Sequence, residues 1–283
     1  MCPELTSSLI AVVFLASAPS QAATWHVYPR PGTPVQDAID AAAGGDTILV
    51  AAGTYGESVV VTKPLTLVGA TVVGTGITID AGCVAPSALT IAADHVKVRK
   101  LRVQGGTQDQ VHVEGRDHVQ FRDLILANTC GTAPYGIDVI ASTRVSLDLF
   151  ASYTPGFIDA AIHVGAIAGK GNVTVKRGGV SGSSTSRGIV VDDASPGAVQ
   201  LTANRVYGVS QTGILLRNSD GVRLRKNEVL GAAVSGIELD GTSDDNLLLG
   251  NKAFESAIDV VDAGANNCWR RTEYTTGSIT PCP

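Results

Sequence analysis

The sequence predicts an all-β solenoid, and three observations predict it. The segment Val199-Gln-Leu-Thr-Ala-Asn204 recurs as Val222-Arg-Leu-Arg-Lys-Asn227 and as Asn246-Leu-Leu-Leu-Gly-Asn251, so the asparagines are spaced 23 and 24 residues apart. A period in the twenties marks one supersecondary unit per repeat. Each copy is followed by a second motif: Gly213-Ile-Leu-Leu216, Gly236-Ile-Glu-Leu239 and Ala257-Ile-Asp-Val260. Within each unit apolar and polar residues alternate, as half-buried strands require. Gly and Asn fall between strands, where the backbone is expected to turn through positive φ.

Composition agrees. The 283 residues include 32 Gly and only 5% aromatics, which suits a narrow interior of Val, Ile, Leu and Ala. A solenoid of this length needs no single large core, because each repeat buries its apolar face on the next. The net charge of −5 argues against nucleic acid as a partner, which needs a basic footprint. No apolar run after the first twenty residues approaches membrane-spanning length.

Residues 1–23 read as a secretory signal, with the apolar core Leu9-Ile-Ala-Val-Val-Phe-Leu-Ala16 and the small-x-small site Ser20-Gln-Ala22. Glu4, and the lack of Lys or Arg before the core, depart from that pattern. Export to the periplasm or exterior would make the cysteines a disulfide framework. Cys83, Cys130, Cys268 and Cys282 follow the signal and allow three connectivities. The favoured pairs are Cys268–Cys282, clasping the C-terminal tail, and Cys83–Cys130, between nearby coils. With no Cys-x-x-Cys pair in the chain, cysteine-based zinc is not expected. The solenoid is expected over residues 24–266 and a terminal cap, closed by Trp269, over 267–283.

Along the chain, Thr33-Pro-Val-Gln36 opens a short helix near 33–43. Thr33 is the expected cap, Pro34 suits the first helical position, and Gln36 completes a capping box. Val35, Ala38, Ile39 and Ala42 share one face, and Gly44-Gly45 ends the helix. Such a helix would cover the open end of the first coil.

These N-terminal segments carry a family resemblance. Val35-Gln-Asp-Ala-Ile-Asp-Ala-Ala-Ala43, Gly45-Asp-Thr-Ile-Leu-Val50, Gly53-Thr-Tyr55 with Glu57, and Lys63-Pro-Leu-Thr-Leu-Val-Gly69 resemble the N-terminal cap of the pectin-lyase-like superfamily. Its members include pectin methylesterases and NosD-like periplasmic proteins. The resemblance implies a right-handed parallel β-helix. It does not imply an activity, because this fold hosts lyases, hydrolases, esterases, epimerases and non-enzymes.

Traced through the chain, the second motif places Thr90, His112, Asp138, His163, Val190, Leu215, Glu238 and Asp259 in one outward row. His112, Asp138 and His163 fall on three consecutive coils, with Glu114 in the next outward row. Neighbouring strands lie about 4.8 Å apart, so Asp138 is expected beside both histidines. The two histidines would then be roughly 10 Å apart, too far to share one ion. The inserted loops Ala127–Tyr135 and Ser152–Ala160 are expected to bring Tyr135, Tyr153 and Phe157 to its rim. This arrangement suits a groove for a polar, chain-like substrate; the competing reading is a solvated surface row.

Tyr135-Gly-Ile-Asp138 is similar to the start of the Tyr-Gly-Phe-Asp-Pro-His-Asp motif of mannuronan C5-epimerases, whose Tyr, Asp and His move the C5 proton. Val139, Ile140 and Ala141 replace Pro-His-Asp. The resemblance therefore carries Tyr135 and Asp138 over, and His112 or His163 would have to supply the histidine. On the first-motif sheet, Lys97, Arg99, Arg122, Lys176, Arg223 and Arg225 face outward, interrupted by Asp148. They form a candidate stripe for an anionic glycan, with Arg99, Arg122, Lys176, Glu114 and Tyr153 as candidate substrate contacts. The motifs of pectin methylesterases, polygalacturonases and pectate lyases are absent. Copper delivery, which NosD resemblance would suggest, finds little support, since Met1 is the only methionine and the histidines are scattered.

The expectation is thus a secreted or periplasmic β-helix that acts on or binds polysaccharide. It is either a lyase or C5-epimerase of acidic glycans working through His112, Asp138, His163 and Tyr135, or a non-catalytic envelope protein. The residues choose no sugar, oligomeric state or cofactor, with Ca2+ among the candidate metals.

Overall fold

The computed structural model describes residues 21–283 except 71–75, 132, 149–150, 153–155, 170, 183, 280 and 283. The signal core and Tyr153 lie outside the described residues. The chain coils as a parallel β-solenoid with an eighteen-stranded and a ten-stranded sheet. The larger sheet covers two faces. Strands Lys97–Gln104 and Gln120–Ala127 run through the corner and belong to both. The ten-stranded sheet is the third face, running from Val59–Val61 to Gly277–Ser278.

Alternation decides what is inside. Val111, Val113, Ile137, Val139, Ile162 and Val164 are fully buried in one continuous core, and the residues between them point outward. The helix Pro34–Ala41 lies over the first coils, with Val35 and Ile39 buried. Its capping differs from the expected box. Thr33 makes no side-chain capping bond; the Glu57 carboxylate accepts from the amides of Val35 (3.0 Å) and Gln36 (2.9 Å). A carboxylate one coil on thus satisfies amide groups that the helix itself leaves unpaired. Lys63 does the same for the other end, donating to the carbonyls of Ile39, Asp40 and Ala42.

The asparagines act differently from the expectation. The positive-φ residue is the one before each: Ala203 (φ 54), Lys226 (φ 54) and Gly250 (φ 64). The Asn side chain instead turns inward and satisfies the corner. Asn227 Oδ1 accepts from the backbone and side-chain amides of Asn204, while its Nδ2 donates to the Leu201 carbonyl and to Asn251 Oδ1, all at 3.0 Å. A continuous buried ladder results.

The final coil also needs correction. Val260 pairs with Ile237, and Val261 with Glu238. Asp259 therefore leaves the outward row, is 1% exposed, and accepts from the amides of Ser256, Thr275 and Thr276. Ile258, aligned by sequence with a core residue, is 45% exposed. The amide groups of the following turn need an acceptor, and this outweighs the repeat pattern.

Disulfides join Cys83 to Cys130 and Cys268 to Cys282. The first ties an inserted loop to a segment two coils before it, 47 residues back in the chain; the second holds the end of the chain. Trp269 is buried and donates from its indole nitrogen to Asp262. Phe157 is a further correction: it is fully buried, against Gly136, and does not reach the rim. Gly136 leaves the space for that ring.

Candidate functional site

The ten-stranded sheet presents a charged ladder across five coils. Its register pairs Asp138 with His112 on one side and His163 on the other. The next coils bring Asp192 and Arg217 opposite each other. His163 donates from Nδ1 to Asp138 Oδ1 at 2.6 Å and from Nε2 to Asp192 Oδ2 at 3.2 Å. Arg217 grips Asp192 with two bonds, Nε–Oδ1 at 2.7 Å and Nη2–Oδ2 at 2.5 Å. His112 Nδ1 sits 3.2 Å from Asp109 Oδ2 and 3.5 Å from Asp138 Oδ2. At neither does it meet hydrogen-bond geometry, so the attraction there is that of close charges and is not directional. Glu114, at 66% side-chain exposure, stands 3.6 Å from His112 Nε2.

Tyr135 stacks on the His163 ring, with centroids 4.6 Å apart and planes 16° apart. Its hydroxyl donates to Asp159, which also pairs with Arg187. Gly165 is required beside this ring, since a Cβ there would lie 2.7 Å from His163 Cε1. Ala160, Val190 and Leu215 form a small apolar patch with Tyr135.

Asp138 is 5% exposed and His163 9%, so their charges act in a medium far less screening than water. Burial opposes charge on His163, but its bonds to Asp138 and Asp192 raise its pKa to about 9. Asp109, then Asp138, raise His112 to about 10 against burial. Burial tends to raise Asp138, but the two histidines outweigh it and hold the carboxyl below its usual range. Burial, then Asp159, pushes the Tyr135 phenol up to about 12.

A pH dependence follows. A histidine whose pKa is higher folded than unfolded binds its proton more tightly when folded, so its contribution is complete below the unfolded value. Stability in chelator is expected to fall as pH rises from 6.5 through about 9 for His163, and on to about 10 for His112. The loss from His163 is on the order of 2–3 kcal/mol. Urea midpoints across that range should show it, and His163→Gln should remove about half of the slope between pH 6.5 and 9, with His112 supplying the rest; an unchanged slope would contradict the ladder.

His112, Asp138, His163, Tyr135 and Glu114 are therefore neighbours. Arg99, Arg122 and Lys176 are not among them: they lie on the larger sheet. There Lys176 and Arg177 face Asp148, and Arg122 faces Asp123. The sequence reading missed Asp109, Asp159, Arg187, Asp192 and Arg217. Asp192 and Arg217 could have been found by extending the Glu114 row along the repeat, where Gly165 pairs with Asp192 and Asp192 with Arg217.

The sequence profile of the family described as periplasmic copper-binding protein (NosD) matches residues 40–280. The chain belongs to the NosD family. No curated protein sequence matches this NosD-family chain significantly. Solved structures resemble it in fold at low identity. The Dettilon tailspike protein gives a TM-score of 0.62 at 14% identity, over 83% of this chain and 50% of its own. A mannuronic acid specific polysaccharide family 6 lyase from human gut microbiota gives 0.54 at 9%, over 89% and 83%. The Azotobacter vinelandii mannuronan C-5 epimerase A-module gives 0.51 at 13%, over 86% and 91%. The right-handed parallel β-helix fold is thereby shown for this NosD-family member.

Proposed function

We propose that the protein is an extracytoplasmic polysaccharide-binding β-helix whose glycan lies across the ten-stranded sheet, over the ladder from His112 to Arg217. The observation that carries this is the arrangement around Tyr135. The partly exposed ring of Tyr135, seated on the buried side chains of Ala160, Val190 and Leu215, adjoins rows of fixed Asp and Arg groups, Asp159–Arg187 and Asp192–Arg217. Such a surface offers a sugar both apolar contact and oriented hydrogen-bonding groups. The two disulfides and the family's description as periplasmic support an extracytoplasmic location.

Binding fits the geometry better than proton abstraction. Both ring nitrogens of His163 are already bonded to carboxylates, and a general base needs a free nitrogen within reach of the proton it takes. The Tyr135 hydroxyl is held by Asp159. A strongly acidic chain is not specially favoured, because Arg187 and Arg217 are each already paired.

The family description names copper, and the donors for copper(I) do not fit. That ion favours thioether and thiolate ligands. The one methionine is Met1, and Cys83, Cys130, Cys268 and Cys282 are all in disulfides.

The test is retention on a panel of pectate, alginate, chondroitin and neutral glycans, with product assays run alongside. Saturable binding is expected, weakened about tenfold or more by Tyr135→Ala and by Arg187→Ala, a loss of about 1.4 kcal/mol. Absence of binding to every glycan, or equal binding by both variants, would overturn the proposal. Product formation would return the site to the lyase or epimerase reading.

A further inference from the structure

Asp109 opens the strand Asp109–Glu114, and its side chain is only 6% exposed. Its Oδ1 has no hydrogen-bond partner, and neither has His112 Nδ1. A buried carboxyl oxygen without a hydrogen-bond partner is costly and calls for a physical explanation. One ligand atom from each of Asp109, His112 and Asp138 can be chosen so that all lie within 4.8 Å of one another. The measured separations from His112 Nδ1 are 3.2 Å to Asp109 Oδ2 and 3.5 Å to Asp138 Oδ2. Donors of a tetrahedral ion at about 2.0–2.2 Å stand roughly 3.3–3.5 Å from each other. These two separations are close to the edges of a coordination tetrahedron, and the donor atoms of all three side chains lie within 4.8 Å of one another.

We infer that Asp109, His112 and Asp138 form a binding site for a divalent first-row ion of zinc type, whether or not the sheet binds glycan. The ligand chemistry selects the ion. An imidazole nitrogen disfavours Ca2+ and Mg2+, which take oxygen ligands. One nitrogen with two carboxylates suits Zn2+ or its neighbours. The surrounding shell is already built. The other oxygen of Asp138 accepts from His163, His163 is held by Asp192, and Asp192 by Arg217. A carboxylate ligand fixed in this way cannot rotate off the ion. Three protein ligands leave a fourth position for water or a substrate oxygen, and Glu114 stands nearby, 3.6 Å from His112 Nε2.

The test is equilibrium dialysis of the chelator-stripped protein against Zn2+ and, separately, Ca2+, with no glycan present. One Zn2+ per chain and no saturable Ca2+ are expected. Asp109→Asn and His112→Gln should each weaken Zn2+ binding about tenfold or more, while the remote surface variant Glu255→Gln leaves it unchanged. Absence of saturable Zn2+ binding overturns the proposal, as does full affinity in both variants. If the variants do not fold, zinc-edge X-ray absorption on the unmodified protein decides. One imidazole with oxygen neighbours supports the site, and a shell without imidazole overturns it. Because no sugar enters the assay, its outcome is separate from that of the glycan panel.

Discussion

Asp138→Asn is expected to cost about 3–5 kcal/mol of folding stability, because it deletes one partner of a buried charged network. Asp138 faces His163 through Oδ1 and His112 through Oδ2. An amide there can accept from only one of them and presents N–H groups to the other. The loss should appear as a lower urea midpoint at neutral pH, in chelator, with the m-value unchanged. A second readout separates electrostatics from packing: the His163 titration midpoint, followed by NMR, should fall from about 9 toward 6.5. If the variant keeps both its midpoint and its histidine titration, the ladder is a solvated surface row. Asp138 is the group shared by the proposed metal site and the charged ladder, so this variant tests their common foundation.

The second large effect lies far from that site. Asn227→Ala should destabilise the protein by roughly 3–5 kcal/mol, because it orphans several buried backbone and side-chain groups at once. Asn227 is fully buried. Removing its amide strips partners from the Asn204 backbone N–H, the Leu201 carbonyl and Asn251 Oδ1. The corner before it is already costly, since Lys226 sits at φ 54, where a side chain is disfavoured. A control change at the exposed Lys252, to Ala, which removes a surface bond to Glu273, should cost below about 1 kcal/mol. Urea unfolding of both variants checks this. Equal effects would mean that the ladder contributes no more than a surface hydrogen bond. Coils are coupled only to their neighbours, so the loss should also be visible as faster amide exchange around 201–230.

Much of the fold was legible because a solenoid writes its geometry into a period. Apolar residues at alternate positions can face inward only on a strand, and a repeat of 23 to 24 residues fixes which strands stack. The same logic placed His112, Asp138 and His163 on adjacent rungs, since strand spacing turns sequence register into distance. Both disulfides are the pairs that the sequence reading favoured among three connectivities. Where the repeat weakened, the reading slipped. At Asp259 three unpaired turn amides drew the carboxylate inward and shifted the register by two residues.

Sequence by itself therefore determined the coil, its register over the middle of the chain and the outward row there, and it favoured the cysteine pairing that the structure has. Tertiary structure decided what the period cannot encode. It chose Glu57 over Thr33 as the helix cap and sent Phe157 into the core. It drew the Asn side chains into the corners and separated Arg99, Arg122 and Lys176 from the histidine face. It also added Asp109, Asp159, Arg187, Asp192 and Arg217 to the site. The physical reason is common to all of these. A period specifies which backbone positions adjoin, whereas hydrogen-bond demand, burial and charge pairing among particular side chains decide where each group points, and these depend on neighbours a coil or more away in the chain.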